Sequence, residues 1–353
     1  MILNVLMAIL FEIIALVKRR NKLVFVLFLT FIWILFWGNI SSPDRYTYIN
    51  MYKYFNNESI RNVMEPGFQF LVYIARTIGL SFQQFLAFYF GIALFIFGYA
   101  IKMIANNKVM VLGLYFLFPF ILDADQIRSF MGACLVVLGF ALMVKKDRKG
   151  VWLFLITCII SGFIQQSCFL YVLYLLCFKS EKFLKKAILL GGILLVLGRN
   201  LIVRLASKFS FIDSLKVSNY LLNIGSRDNW WIYIFFNLLI MLGTIYLINK
   251  YSDVKGYDMR VIAIVRNINI ISIIFVMLIY ISPHFERLLR PALIIDYIYV
   301  TNLIPSDKIT KKYQLRIIVI LYAIITARFL MYYFGAGKES YLIPIFQNGF
   351  KLL

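Results

Sequence analysis

Residues 82–101 read FQQFLAFYFGIALFIFGYAI, twenty residues without a single charge. About 20 helical residues cross a hydrocarbon core of roughly 30 Å, so this stretch is long enough to span a membrane. Similar apolar stretches recur along the chain, and they make 62% of its 353 residues hydrophobic, with a mean hydropathy of +0.84. A single soluble core cannot enclose that much apolar surface. The sequence therefore predicts a polytopic membrane protein.

The predicted fold class is an all-α membrane helical bundle, because a helix pairs every backbone N–H and C=O within its own segment. We expect roughly 11–13 transmembrane helices in one integral-membrane domain that covers residues 1–353. Several stretches are too short for a bilayer and predict broken helices, and the stretch 66–80 predicts a re-entrant or interfacial helix. The apolar stretches lie near residues 1–17, 23–40, 82–101, 109–122, 127–144, 151–164, 167–178, 186–203, 230–249, 261–282, 288–304 and 315–334.

The charges are distributed unevenly between the loops. The chain has 37 Lys and Arg against 16 Asp and Glu, a net charge of +21, and the basic residues collect in short loops such as 18–22, 145–149 and 179–186. The positive-inside rule assigns these loops to the cytoplasm, so nucleic acid is not an expected partner. The alternating topology then places on the outer face the loops near 41–65, 123–128, 204–229, 282–290 and 335–353.

The predicted outer loops hold the residues suited to chemistry. The first of them contains Asp44, Tyr48 and Glu65 on a segment whose tyrosine spacing suits an interfacial helix. Tyrosines on such a helix often only anchor the membrane interface. That interpretation explains the carboxylates less well, since an acid gains little beside a hydrocarbon boundary. Asp44 and Glu65 are therefore candidate catalytic groups.

A second outer segment, LDADQIRS at residues 122–129, combines two acids with an arginine. Arg128 lies at or just inside a helix start, where a charge normally faces protein or a water-filled cavity. One interpretation is an ion pair with Asp125 or Asp123 at the end of the helix. The other is an anion-binding arginine, since a planar guanidinium suits phosphate oxygens better than an ammonium does.

The third outer segment, PHFERLLRP at residues 283–291, contains the only histidine of the chain, His284. Arg287 and Arg290 are three residues apart and share one helical face. Such a pair can bind a diphosphate. The alternative is that both side chains extend toward lipid headgroups. His284 is either structural or catalytic.

In order and spacing, these segments resemble the EpsG family of bacterial exopolysaccharide and O-antigen polymerases, the Wzy-like group. The resemblance covers most of residues 35–180 and is weaker beyond. The matching motifs are Asp44 with Tyr48, Glu65-Pro66-Gly67-Phe68, and Gln126-x-Arg128.

The chain departs from the family pattern at two places. The glycine that commonly precedes the aspartate is absent, because the sequence reads Ser41-Ser42-Pro43-Asp44-Arg45. The family also usually carries a histidine two residues before a serine in a later span, and Gln165 stands at that position. A neutral amide can hydrogen-bond a sugar but cannot act as a base near pH 7.

The resemblance implies glycosyl transfer on the outer face of the cytoplasmic membrane of a bacterial cell, by a multi-pass protein. The growing glycan would leave undecaprenyl diphosphate and join the distal sugar hydroxyl of a new lipid-linked repeat unit. No cofactor or metal is expected, and a chain-length co-polymerase is an expected partner besides the lipid-linked glycan and the bilayer. The alternatives are a lipid-linked oligosaccharide flippase and a membrane acyltransferase that modifies sugars.

The reaction assigns roles to the candidate residues. A departing diphosphate develops negative charge that fixed arginines can stabilise. The acceptor hydroxyl needs a base, and sugar rings and hydroxyls need polar contacts. The predicted base candidates are Glu65, His284 and Asp44, the predicted phosphate ligands are Arg128, Arg287 and Arg290, and the predicted sugar contacts are Tyr48, Gln126 and Gln165.

Overall fold

The computed structural model describes residues 1–39, 41–198, 230–251, 258–304, 311–333 and 338–348. Every regular element in these ranges is helical, which confirms the all-α prediction. The α-helices are α1 (Ile2–Val17), α2 (Lys22–Gly38), α3 (Pro43–Lys53), α4 (Glu58–Asn62), α5 (Pro66–Thr77), α6 (Phe82–Ile104), α7 (Lys108–Leu117), α8 (Phe120–Asp125), α9 (Ile127–Lys145), α10 (Asp147–Ile164), α11 (Glu181–Leu197), α12 (Trp230–Tyr251), α13 (Met259–Ile281), α14 (Arg290–Leu303), α15 (Lys311–Tyr333) and α16 (Ile343–Asn348). Two 3-10 helices (Gln166–Phe178 and Pro283–Leu289) and a π-helical turn (Lys338–Leu342) complete them.

Four helices of the described ranges are long and apolar enough to cross a membrane, within α6, α9, α12 and α13. A fifth span results if α2 and α3, which are bent by 71° relative to each other, are counted as one. Shorter apolar helices in the described ranges are α1, α7 and the 3-10 helix Gln166–Phe178. The predicted outer loop 204–229 and parts of 335–353 lie outside the described residues.

The chain divides into two compact units. The first comprises Met1–Leu170 and Tyr297–Leu353, and the second comprises Tyr171–Asp296. The single domain expected from the sequence stays a prediction.

The predicted broken and short helices are present. The stretch 109–122 is interrupted between α7 and α8, and the stretch 151–178 is an α-helix followed by a 3-10 helix of 13 residues. The stretch 66–80 forms α5, whose 12 residues are too few for a bilayer. Gly79, with a φ of +76°, lies just beyond α5 and supplies the left-handed conformation that commonly ends a helix.

An aromatic cluster holds the core of the first unit together. The ring of Phe36 on α2 lies 4.5 Å from that of Phe90 on α6, 5.0 Å from that of Phe120 on α8 and 4.9 Å from that of Phe130 on α9, measured between centroids. Aromatic pairs at such distances contribute about 0.5–1.5 kcal/mol each beyond the burial of their area. One side chain therefore fixes four helices around the break between α2 and α3.

Arg45, in the first turn of α3, is completely buried beside this cluster. One Nη donates hydrogen bonds to the carbonyl oxygens of Phe36 (3.0 Å) and Ala124 (2.7 Å). Both carbonyls belong to last turns of helices, where the backbone acceptors have no intrahelical donor. The guanidinium thus joins the end of α2 to the end of α8.

The first turn of α5 packs directly against the backbone of α10. A Cβ added at Gly67 would lie 2.9 Å from the carbonyl oxygen of Phe163. This distance is shorter than any ordinary van der Waals contact, and a backbone atom cannot turn away as a side chain can. Glycine is therefore required at this position by close packing.

We expect Gly67→Ala to destabilise the protein by about 1–3 kcal/mol, the usual cost of overpacking a tight contact. The apparent melting temperature of the purified protein in one detergent would measure the effect. Gly243→Ala is the matched control, because a Cβ at Gly243 meets nothing within 4 Å. Its helix propensity should improve by about 1 kcal/mol. Equal melting temperatures for the two variants would contradict the close packing described here.

Candidate functional site

Arg128 and Glu65 form an ion pair between one Nη of the guanidinium and Oε2 of the carboxylate. Arg128 is the second residue of α9, and Glu65 is the N-cap of α5. Their side chains are only 15% and 7% exposed. Two of the motifs noted in the sequence thus meet in space at one largely buried charge pair.

Two aromatic rings flank the guanidinium of Arg128. The ring centroid of Tyr48 lies 5.5 Å from its central carbon and that of Phe68 lies 5.6 Å from it, distances suited to cation–π attraction. The Tyr48 hydroxyl is also hydrogen-bonded to Arg128. We call Tyr48, Glu65, Phe68 and Arg128 the Arg128 cluster. Its rings and carboxylate hold the guanidinium in one orientation.

Of the two interpretations that the sequence left open for Arg128, an ion pair is present, and its partner Glu65 lies 63 residues away in the sequence. The two neighbouring acids have other contacts. Asp123 is fully buried and accepts a hydrogen bond from the Tyr115 hydroxyl (3.0 Å). Asp125 accepts one from the backbone N–H of Asp44 (3.1 Å). The cause is the break at Gln126, which separates the acids of α8 from the first turn of α9.

A second acidic group lies where α3 begins beside the end of α8. Burial raises the pKa of Asp125 to about 6, and the charge of Asp44 adds to this effect. Hydrogen bonds from Ser42 and from the Asp44 backbone, together with the charge of Arg45, oppose it. We call Asp44 and Asp125 the aspartate pair. Asp125 is 2% exposed and Asp44 is half-buried, so only Asp44 presents part of its surface to the outside.

The aspartate pair has the properties of a proton acceptor. A carboxyl group that titrates near the working pH is a more effective general base than one that titrates near pH 4. The sequence predicted a catalytic role for Asp44, whereas Asp125 was predicted only as one of two alternative ion-pair partners of Arg128. The sequence feature that could have identified Asp125 as a buried acid is its position at the end of an apolar stretch, close to a second acid.

The two glutamine candidates also belong to the first unit. Gln126 connects α8 to α9, two residues before Arg128, and is half-buried. Gln165 ends α10 and is 7% exposed. Its neighbour Ile164 packs against Gly67, so Gln165 lies near the first turn of α5. Tyr48 is buried, and its contacts are with the Arg128 cluster.

The remaining three candidates lie in the second unit, on the 3-10 helix Pro283–Leu289 and the start of α14. His284 is exposed, Arg287 is half-buried and Arg290 is 2% exposed. A 3-10 helix has three residues per turn, which favours the shared face predicted for the two arginines. Glu286 accepts a hydrogen bond from Asn237 (3.3 Å), which anchors this segment to α12. Whether these residues act together with Arg128 stays a prediction.

The fold and the Arg128 cluster define an integral membrane protein that carries a buried acid–arginine site at its helix ends. A model of the EpsG family matches residues 20–345, well beyond the region where the sequence motifs cluster. The chain belongs to the EpsG family, whose members are Wzy-like polysaccharide polymerases. No curated protein and no solved structure shows significant similarity to the chain.

Asp125 makes the stability of the protein depend on pH. Its pKa is about 6 in the native state against an ordinary 3.8, so the native state holds a proton that the unfolded state loses between about pH 4 and 6. The contribution of Asp125 to stability is therefore greatest below pH 4 and falls by about 3 kcal/mol as the pH rises through 6. We expect Asp125→Asn to flatten this dependence and to raise the melting temperature at pH 7.5 relative to wild type.

Melting temperatures in detergent between pH 4 and 8 would measure the difference between the two proteins. Glu58→Gln, which neutralises an exposed acid, is the control and should leave the pH dependence of wild type in place. The same slope in Asp125→Asn as in wild type would disprove the assignment of the titration to Asp125.

Proposed function

We propose that the protein polymerises undecaprenyl-diphosphate-linked oligosaccharide repeat units on the outer face of the bacterial cytoplasmic membrane. The bond between the anomeric carbon of the growing glycan and the diphosphate oxygen breaks, and a glycosidic bond to the acceptor hydroxyl forms. The hydroxyl proton passes to a base, and the lipid diphosphate leaves. The observation that carries this proposal is the meeting of the family motifs in the Arg128 cluster.

Arg128 suits the diphosphate leaving group. A guanidinium carries five N–H donors, which is enough for a carboxylate and for phosphate oxygens at the same time. Its orientation is already fixed by Glu65 and Tyr48, so little reorganisation is needed as negative charge develops on the departing diphosphate. Arg128 therefore acts as the electrostatic stabiliser of the reaction.

Glu65 is a positioning residue in this proposal, although the sequence offered it as a base. Its carboxylate is the ion-pair partner of Arg128. Accepting a proton would break that pair at the moment when the arginine must face the diphosphate. Glu65 thus contributes through the orientation of Arg128.

The aspartate pair is the proposed base. Asp44 is half-buried at the start of α3, where an acceptor hydroxyl can reach it, and its backbone N–H binds Asp125. The two carboxylates repel each other, which raises the proton affinity of the pair. Asp44 then takes the hydroxyl proton, and Asp125 keeps the pair basic near neutral pH.

The remaining candidates have supporting roles. Gln126 and Gln165 offer amides to sugar hydroxyls near the Arg128 cluster. Arg287 and Arg290 suit a second phosphate group, and exposed His284 is no longer needed as the base. A chain-length co-polymerase stays an expected partner on the strength of the family alone.

We expect Arg128→Ala to lower polymerisation about 100-fold, the usual loss on removal of one preorganised electrostatic donor. The measurement is the glycan ladder of a deletion strain complemented with each variant, together with the leaflet in which lipid-linked units accumulate. Arg148→Ala, at an exposed position in the first turn of α10, is the control and should restore full-length polymer. Long polymer in Arg128→Ala would refute the role of Arg128. Accumulation of units on the cytoplasmic leaflet would identify a flippase instead.

We expect the aspartates and Glu65 to differ in purified protein supplied with lipid-linked repeat units. Asp44→Asn should lower kcat at least about 100-fold, since a general base contributes 10²- to 10⁴-fold. Glu65→Gln should lower kcat about tenfold and leave the pH profile unchanged. The wild-type kcat should fall at acid pH, and Asp125→Asn should move this fall to lower pH because the charge that repels Asp44 is removed. A shifted profile in Glu65→Gln would make Glu65 the base.

A further inference from the structure

A cavity of about 600 Å³ opens in the first unit, and its lining shares no residue with the Arg128 cluster or the aspartate pair. It lies between the turn that joins α1 to α2 and the turn that joins α6 to α7. Its polar lining consists of Lys18, Arg19, Arg20, Asn21 and Asn107. The positive-inside rule assigns this side to the cytoplasm.

The walls of the cavity are held by hydrogen bonds between the two turns. The Arg20 Nε donates to Oδ1 of Asn107 (3.3 Å), and the Asn107 Nδ2 donates to the Thr301 carbonyl (2.6 Å). The backbone N–H of Val109 donates to the carbonyl of Arg19 (3.0 Å). Asn107 is 2% exposed, so this polar wall is part of the packed unit. The cavity is thus built into the fold.

The two turns concentrate positive charge without any compensating acid. Residues 18–22 and 102–108 contain six Lys and Arg and no Asp or Glu. Burial, followed by repulsion from Lys22 and Lys102, lowers the pKa of Lys108. Glu12 is the one acid in α1 and lies more than one turn before the end of that helix at Val17. A bound anion would relieve the mutual repulsion of these cations.

An apolar surface adjoins the cavity. It favours a lipid phosphate over a free phosphate ion as the bound anion. Val17 and Ile304 contribute apolar lining. Val17 is 70% exposed and Ile13, one turn earlier on α1, is 55% exposed. This strip continues from the cations along the apolar helix, where the acyl chains of a lipid would run. A free phosphate ion has no apolar part that could contact this strip.

We propose that this cavity is a binding site for the phosphate headgroup of an anionic membrane lipid, with the acyl chains along α1. The guanidinium groups of Arg19 and Arg20 bind the phosphate, and Lys18 adds charge at the rim. Basic pockets between helices on the cytoplasmic side suit such headgroups, and each nearby Lys or Arg adds to the attraction. The proposal is independent of the transfer reaction at the acid–arginine site.

The test compares the intact protein in nanodiscs of phosphatidylcholine with and without added cardiolipin, by melting temperature and by native mass spectrometry of retained lipid. We expect cardiolipin to be retained and to raise the melting temperature. Arg19→Gln/Arg20→Gln should weaken retention about tenfold. Lys18→Gln/Lys22→Gln removes none of the hydrogen bonds between the two turns and should also weaken the retention of cardiolipin. This second variant tests the site if the arginine variant fails to fold.

The control is Lys145→Gln/Lys146→Gln, which removes the same charge from exposed residues of another basic loop. Unchanged retention in the control supports a specific site. An equal loss in the control and in both cavity variants would show that only net charge attracts the lipid and would overturn the proposal. Inorganic phosphate added to pure phosphatidylcholine nanodiscs provides the second arm. Stabilisation by phosphate equal to that by cardiolipin would overturn the lipid assignment in favour of a soluble anion.

Discussion

A charge that is withdrawn from water near a membrane must find a partner inside the protein, and the first unit is arranged around two arginines that meet this requirement. Arg45 satisfies it with backbone carbonyls at the ends of α2 and α8. Arg128 satisfies it with Glu65 and with two aromatic rings. The carbonyls that bind Arg45 lie at the ends of helices shorter than a full span, and Glu65 lies immediately before such a helix, α5. The short helices thus place the partners of both arginines.

Hydropathy predicted the helical class and the broken or short helices well, since these depend on the residues within each stretch. Four or five helices of the described ranges are long and apolar enough to cross a membrane, and the short stretch 109–122 is divided between α7 and α8 as its length predicted. The partner of Arg128 was not predictable in this way. Glu65 lies 63 residues earlier, and only the packing of α5 against α9 and α10 brings it into reach.

The family motif Glu65-Pro66-Gly67-Phe68 acquires a physical reason at each position. Glu65 holds Arg128, and Pro66 begins α5 at a position that needs no N–H donor. Gly67 permits the contact with α10, and Phe68 lies beneath the guanidinium. The motif is short and has little specificity as a sequence pattern, but its four residues together hold Arg128 in place. The glutamine at position 165 is compatible with this arrangement, because the proposed base lies in the aspartate pair.

The hydrogen bond from Arg45 to Ala124 also constrains how the protein is made. The two residues are 79 positions apart, so Arg45 leaves the ribosome long before its acceptor exists. At a synthesis rate of 5–20 residues per second, the delay is about 4–16 s. During that interval the Phe36 carbonyl, nine residues earlier, is the acceptor that Arg45 already has within reach. Synthesis of α8 then supplies the second acceptor, so the junction of α2, α3 and α8 is completed well before Tyr297–Leu353, the last part of this unit, is made.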